Sequence, residues 1–468
     1  MKIIVVGAGK VGYTLAESLS SEDHDVTVID RHYDALKKVE DNLDVLAIKG
    51  NGVSVSVLLE AKIKKTDLII AVTDSDEVNM VCCLTAKKLG AAHTAARIRD
   101  PQYAKELVML KDEVGVDLVI NPEYAAADEI ARMISFSPAL NIESFAKGRV
   151  KMVEIKVTPD MPIVGYKLKD AAFQKYSSIL ISAVIRNEEV IVPDGEFEIK
   201  ADDEIYVIGK SASIYNFCKL TGKSPVKYKS IMILGGGRIA YYLTNFLTTM
   251  GMKVKIVEIN RERCEELSES LPNALIINAD GTDEQILRSE NVDSMDGFIA
   301  VTGMDEENLL SSLLAKQSGV KKVITKISRT SYINMVKKLG IDNVICPKLI
   351  TANQILKYVR GNTVESLYRI VEGQAEIVEF IAKESSGLLD KPIKNLNIPK
   401  ETIITTIVRR NEVVIPRGND AIKKGDRVIV ITKKENLNWL NELILNVSGG
   451  TKHEFANGIK KFGDIINM

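Results

Sequence analysis

The sequence predicts an α/β protein made of two tandem Rossmann-like domains, each followed by a small α+β domain. Three observations predict it. Short β-branched runs alternate with helical stretches, a glycine-rich loop directly follows the first run, and the whole arrangement occurs twice.

The duplication is read from matching offsets. Gly7-Ala8-Gly9-Lys10-Val11-Gly12 returns as Gly235-Gly236-Gly237-Arg238-Ile239-Ala240, and Asp30 returns as Glu258, both 228 residues later. Val72-Thr73-Asp74 with Asn79 returns as Val301-Thr302-Gly303 with Asn308, 229 residues on. Asn121-Pro122-Glu123 matches Cys346-Pro347-Lys348, and Arg186 to Pro193 matches Arg409 to Pro416. The slow drift in offset is what insertions and deletions in loops produce. Expected boundaries are 1–136 and 229–360 for the Rossmann domains, 140–222 and 364–448 for the α+β domains, and 449–468 for a tail.

Within the first repeat, residues 1–6, 26–29, 45–48, 68–72, 95–98 and 118–120 read as buried parallel strands with helices between them. From about residue 140 the strands become adjacent. Residues 179–185 and 190–192 flank the polar turn Arg186-Asn187-Glu188-Glu189, and 204–208 follow the Asp202-Asp203 corner, which predicts a mainly antiparallel module. In the tail, Phe455, Ile459, Phe462 and Ile466 fall at helical spacing, compatible with docking on a partner or with packing on the chain itself.

The glycine loop carries the chemistry. Gly7 permits a tight turn, Gly9 lets backbone approach a pyrophosphate, and Gly12 lets the following helix pack on the sheet. Phosphates then meet the helix N-terminus, whose free N–H groups and dipole favour anions. Asp30, at the end of the second strand, suits both hydroxyls of a ribose and repels a 2′-phosphate, so NAD(H) or adenosine ligands are favoured over NADP. The second copy has alanine at the third position, an accepted variant, and keeps the acid as Glu258. Lys10 and Arg238 occupy one slot in the two loops, either facing the phosphates or solvated at the helix start.

Composition narrows the class. The formal net charge is −1 with no polybasic block, against a nucleic-acid or lipid-surface binder. No apolar run approaches the ~18 residues of a membrane helix, and the first residues run straight into a strand without room for a signal peptide. A soluble cytosolic protein, held at the membrane only through a partner, is expected. The five cysteines form no CxxC and the four histidines show no metal-ligand spacing, so no metal is expected.

These motifs in this duplicated order resemble the RCK/KTN family, within it the peripheral subunits of Trk-type potassium uptake systems, over essentially residues 1–445. The resemblance implies N-domains that bind NAD(H) or adenine nucleotides. It further implies a homo-oligomer, a tetramer forming a ring of N-domains beneath a membrane potassium channel, which it gates. Carried over by position, Gly7 to Val11 take the phosphates, Asp30 the ribose, and Asn51 sits near the adenine. The family often has an acid at that last place, as Asp280 supplies in the second copy. Thr73 and Asp74 border the ligand's far half, with helix capping by Asp74 or Ser75 as the alternative. Arg97 resembles the family's phosphate-facing arginine, with a surface ion pair as its alternative. In the second copy Thr302 keeps its place, but Asp74 becomes Gly303 and Arg97 becomes Lys326. The halves are therefore expected to differ: NAD(H) at the first, ATP or ADP or only weak occupancy at the second.

A dehydrogenase is the competing class. It needs an acid/base group delivered to the nicotinamide by a second domain. The candidate domains here are only about 80 residues long, hold no histidine, and are duplicated with the Rossmann units. A binding switch is the better reading. A nucleotide-sensing regulator of some other transporter is the third.

Overall fold

The computed structural model describes the chain except residues 104–105, 107–112, 171–175, 177, 342, 360–363, 385–387, 438 and 441–468. The tail with Phe455, Ile459, Phe462 and Ile466 lies outside the described residues. The described residues form two compact units, one within 1–131 and 228–355 and one within 132–227 and from 356 onward.

The first unit holds two parallel sheets. β1 (Lys2–Val6), β2 (Asp25–Asp30), β3 (Leu46–Lys49), β4 (Leu68–Ala71), β5 (His93–Arg97) and β6 (Leu118–Ile120) lie in the order β3-β2-β1-β4-β5-β6. β1 and β4 read Ile-Ile-Val-Val and Leu-Ile-Ile-Ala because helices cover both faces, so every one of these residues is buried. Helices α1 (Lys10–Ser20), α2 (Tyr33–Asn42), α3 (Val55–Glu60) and α4 (Asp76–Leu89) supply much of that cover. The strand order reverses between β1 and β4, and ligand crevices in such sheets open at the strand carboxyl ends beside that reversal. The second repeat builds the same sheet from Ser230–Leu234, Lys253–Glu258, Ala274–Asn278, Gly297–Ala300, Lys322–Lys326 and Asn343–Ile345.

The two Rossmann units touch through named groups. Asn121 caps the helix Pro122–Ser135 by accepting from the Tyr124 N–H at 2.8 Å, and its amide donates to the Tyr242 hydroxyl of the second repeat at 3.0 Å. The Tyr124 ring meets Tyr242 and Phe246 edge-on at 5.3 and 5.4 Å.

The second unit holds two five-stranded antiparallel sheets with one topology. Asn141–Phe145, Val150–Lys156, Ile179–Arg186, Glu189–Ile191 and Glu204–Gly209 form the first; Val364–Ile370, Ala375–Ile381, Thr402–Arg409, Glu412–Val414 and Arg427–Lys433 form the second. Asn187 and Glu188 both sit at positive φ, as a two-residue hairpin turn demands. The pair Asn141–Phe145 and Val150–Lys156 had no clear signal in sequence. Its turn uses Ala146 and Lys147 at positive φ, residues that do not announce that conformation. One apolar core joins the two sheets, with Phe145, Met152 and Tyr206 from one against Ile377, Ile429 and Ile431 from the other. The Ala146 N–H donates at 2.9 Å to the buried Glu379 carboxylate, which also pairs with Arg427 at 2.8 Å.

In each sheet the corner before the last strand is pinned by a buried aspartate. Asp203 accepts both Arg186 donors at 2.7 Å and the Lys200 N–H at 2.8 Å. Asp426 accepts the Arg409 pair at 2.9 and 2.7 Å and the Lys423 N–H at 2.8 Å.

All five thiols are free and buried, and burial pushes Cys82 and Cys218 up to about 12. Among the described residues no group of three His, Cys, Asp or Glu side chains can hold a metal, and no helix is long and apolar enough to cross a membrane.

Candidate functional site

The strand ends and glycine loops of both repeats open into one cavity of about 850 Å³ within the first unit. Gly7 turns the chain at φ +104° and Gly235 at φ +96°, where any L side chain is strained. A Cβ on Gly12 would sit 1.7 Å from the Gly7 carbonyl oxygen, so only glycine lets α1 close on the loop there. Gly9 and Gly237, by contrast, face open space, and both helices start without a side-chain cap. Their first N–H groups are left for an anion.

The acids at the ends of the second strands hold the loops in register. Asp30 accepts the Ala8 N–H at 2.6 Å and the His32 N–H at 2.8 Å. Glu258 does the same for Gly236 at 2.6 Å and Asn260 at 2.8 Å. Each carboxylate oxygen keeps a second lone pair, so a hydroxyl can still be accepted beside the backbone bond.

At the far side, Asn79 is fully buried and ties β4 to β5. Its side-chain oxygen takes the Thr73 N–H at 2.9 Å and hydroxyl at 2.7 Å, while its amide donates to the Arg97 carbonyl at 2.9 Å. Asn308 repeats this between Thr302 and Lys326, at 2.8 and 3.1 Å. Ser75, not Asp74, caps α4 by accepting from Val78 at 3.2 Å, which leaves Asp74 on the cavity wall.

Arg97 and Lys326 both reach this cavity. Arg97 pairs with Glu123 at 3.5 Å, yet its Nε is buried with no hydrogen-bond partner among the described residues. Burial pulls its pKa down, against the opposing pull of Glu123. Arg99 turns away and pairs with Asp76. Lys326 donates to the Thr302 carbonyl at 2.6 Å; burial holds its pKa below the ordinary lysine value, with Asp305 and Glu123 opposing and Lys10 adding to the shift. That Lys10 and Glu123 of one repeat act on Lys326 of the other shows that the two clefts share one field.

Of the residues singled out in sequence, Gly7, Gly9, Lys10, Val11, Asp30, Asn51, Thr73, Asp74, Arg97, Gly237, Arg238, Thr302 and Lys326 line the cavity. Ala8, Gly12, Gly235, Gly236 and Ala240 shape the loops behind it. Glu258 and Asp280 are not among its lining residues. Asp280 instead accepts the Thr282 N–H and hydroxyl at 2.9 and 2.7 Å, and that hydroxyl bond lowers its pKa.

Sequence reasoning missed Arg31, His32, Ala35, Glu123, Ser328 and Lys348, all of which line the cavity. Glu123 and Lys348 sat in view as marks of the duplication. Their place at the first turn of a helix beginning with proline was the available signal. In all, six Lys or Arg side chains line the cavity against three carboxylates, a wall suited to a polyanion.

Comparison with known proteins places these features. The family model described as TrkA-N domain matches residues 3–122 and 231–347, and that described as TrkA-C domain matches 152–222 and 377–445. The Trk system potassium uptake protein TrkA homolog 2 of Methanosarcina mazei is 40% identical over 438 residues, covering 92% of this chain and 97% of its own. Among solved structures, the GsuK RCK domain aligns with TM-score 0.62 at 18% identity, covering 95% of each chain. The GsuK channel bound to NAD aligns with TM-score 0.61 at 18% identity, covering 95% of this chain and 79% of that one.

Proposed function

The chain belongs to the TrkA family of Trk system potassium uptake proteins, and on that footing we propose that it is a nucleotide-sensing regulatory subunit of a membrane potassium transporter. The family is one of transport regulators and not of enzymes. One observation carries the proposal: an intact dinucleotide-type loop with its ribose acid opens onto a cavity whose opposite wall is a second glycine loop and its cations.

In this reading Asp30 takes the ribose of NAD(H), the N-termini of α1 and the helix Arg238–Thr249 face the phosphates, and Arg97 with its free Nε meets the distal half. The NAD-bound channel of the same fold supports that choice of ligand. The second repeat, with Gly303 and Lys326 in place of Asp74 and Arg97, takes a mononucleotide such as ADP or ATP or is only weakly occupied. The subunit assembles as a homo-oligomeric ring, a tetramer, on the cytoplasmic side of a Trk-type channel. A ligand that prefers one ring conformation shifts the ring toward it by the difference in its affinities and no further, so neither hydrolysis nor hydride transfer is needed.

The test is calorimetric titration of the full chain with NADH, NAD, NADPH and ATP. Saturable NADH binding that is at least about tenfold weaker in Asp30→Ala is expected, from loss of a charge-assisted hydrogen-bond acceptor. Equal binding by wild type and variant, or a preference for NADPH, would refute the assignment.

Lys326 gives this binding a pH dependence. Its ammonium attracts an anionic ligand, and its depressed pKa brings deprotonation to a lower pH than an ordinary lysine would show. Affinity should fall as pH rises through that value, and Lys326→Arg should flatten the fall. Titrations between about pH 7 and 10 check it; an identical slope in both proteins removes Lys326 from the site.

A further inference from the structure

The second glycine loop has a neighbour that the first lacks. Arg263 stands on the helix Arg261–Ser270, three residues after the capping residue Asn260, whose side chain accepts its N–H at 3.0 Å. Its guanidinium reaches back over the loop: Nε donates to the Gly236 carbonyl at 2.8 Å, and a terminal nitrogen pairs with Glu266 at 2.6 Å. The Gly236 N–H is at the same time bound to Glu258, the ribose acid of this repeat. In the first repeat the position of Arg263, 228 residues earlier, is Ala35. Ala35 lines the cavity beside Asp30, Gly50 and Asn51, the adenosine half of the first site. From the second repeat the same cavity takes the phosphate-side residues Gly237, Arg238 and Thr302 but not Glu258 or Asp280.

We propose that Arg263 is a built-in occupant of the adenosine subsite of the second repeat, so that the two Rossmann units hold one adenine nucleotide per chain until this side chain is displaced. The side chain presents a cation to the loop carbonyl where Ala35 leaves room for a nucleoside. A ligand entering beside Glu258 has to break the bond to Gly236 and move the guanidinium off the loop first. The second repeat then serves the ligand of the first mainly through its phosphate-side cations. Arg263 is thus a specificity-determining residue that sets site number. The inference rests on the nucleotide-binding reading above for the first repeat, but its own test does not depend on it.

Titrating the full chain with ADP decides between the two. The wild type is expected to bind one ADP per chain, abolished by Asp30→Ala. Arg263→Ala should raise the number to two, and the added event should survive Asp30→Ala and vanish with Glu258→Ala. Affinity at the added site should rise by about tenfold or more over any residual wild-type binding there, because the competent state no longer has to be won from a charge-assisted hydrogen bond. If Arg263→Ala does not fold, Arg263→Met keeps the aliphatic stem over the loop and removes only the guanidinium. Two ADP per wild-type chain, or a single ADP in both Arg263 variants that is still lost with Asp30→Ala, would overturn the inference while leaving the first site standing. A wild type that binds nothing beside an Arg263 variant that binds one ADP through Glu258 would do the reverse. Silence from every protein would sink both.

Discussion

Asp426→Ala should destabilise the second α+β domain by about 2 kcal/mol, since it removes a buried carboxylate that serves three donors. The aspartate side chain is only 2% exposed, and its carboxylate takes three donors: both from Arg409 and the N–H of Lys423. Water reaches part of Arg409, whose side chain is 37% exposed, so the loss comes mainly from the acceptor that the guanidinium shares with the Lys423 N–H. The single tryptophan, Trp439, packs against the core of this domain, so its fluorescence in urea reports the change. Asp426→Asn should cost less, because it keeps an acceptor for Lys423. A midpoint unchanged in Asp426→Ala would mean that the corner is held by the hairpin alone.

Gly12→Ala should disable the first nucleotide site outright. The added Cβ would lie 1.7 Å from the Gly7 oxygen and 3.4 Å from the Val72 side chain, so α1 has to move away from the loop. Overpacking of this kind costs about 1–3 kcal/mol. The larger effect is on the ligand, whose phosphates lose the helix N-terminus that the shift carries off. NADH affinity should fall by well over about tenfold with a modest loss in thermal midpoint. The second loop already carries a fully buried alanine, Ala240, at the equivalent place. Ala240→Gly should therefore cost only about 1 kcal/mol of helix propensity and leave NADH binding intact. Wild-type affinity in Gly12→Ala would show that the loop, not the helix, holds the phosphates.

The Rossmann sheets were legible because their signal is local. A β-branched run, a glycine turn and an acid at a fixed distance encode strand, loop and helix together, and the duplication states each twice. Residues on the cavity wall that come from outside those motifs were not legible. Glu123 and Lys348 belong to the site only because the chain brings the starts of two distant helices to the strand ends. Asp203 appeared as part of a polar corner and its counterpart Asp426 was not singled out, because no local pattern tells a solvated turn aspartate from one held under an arginine. Asp280 matches a family pattern by position, and only the structure shows that one of its carboxylate oxygens accepts both bonds of its own turn. Arg263 went unremarked because an arginine on a charged helix reads as solvated until its distance to the Gly236 carbonyl is known.

The shared core of the two α+β sheets and the shared cavity of the two Rossmann units have a consequence for how such a protein can change. Two identical chains that pair about a two-fold axis carry every substitution twice, so neither side of the pair can be altered alone. Writing both partners into one polypeptide removes that restriction. Ala35 can remain small on one side while Arg263 grows on the other, and Asp74 can face Gly303. Fusion here lets the two copies of one motif diverge inside a single chain, so that the walls of the shared cavity need not match.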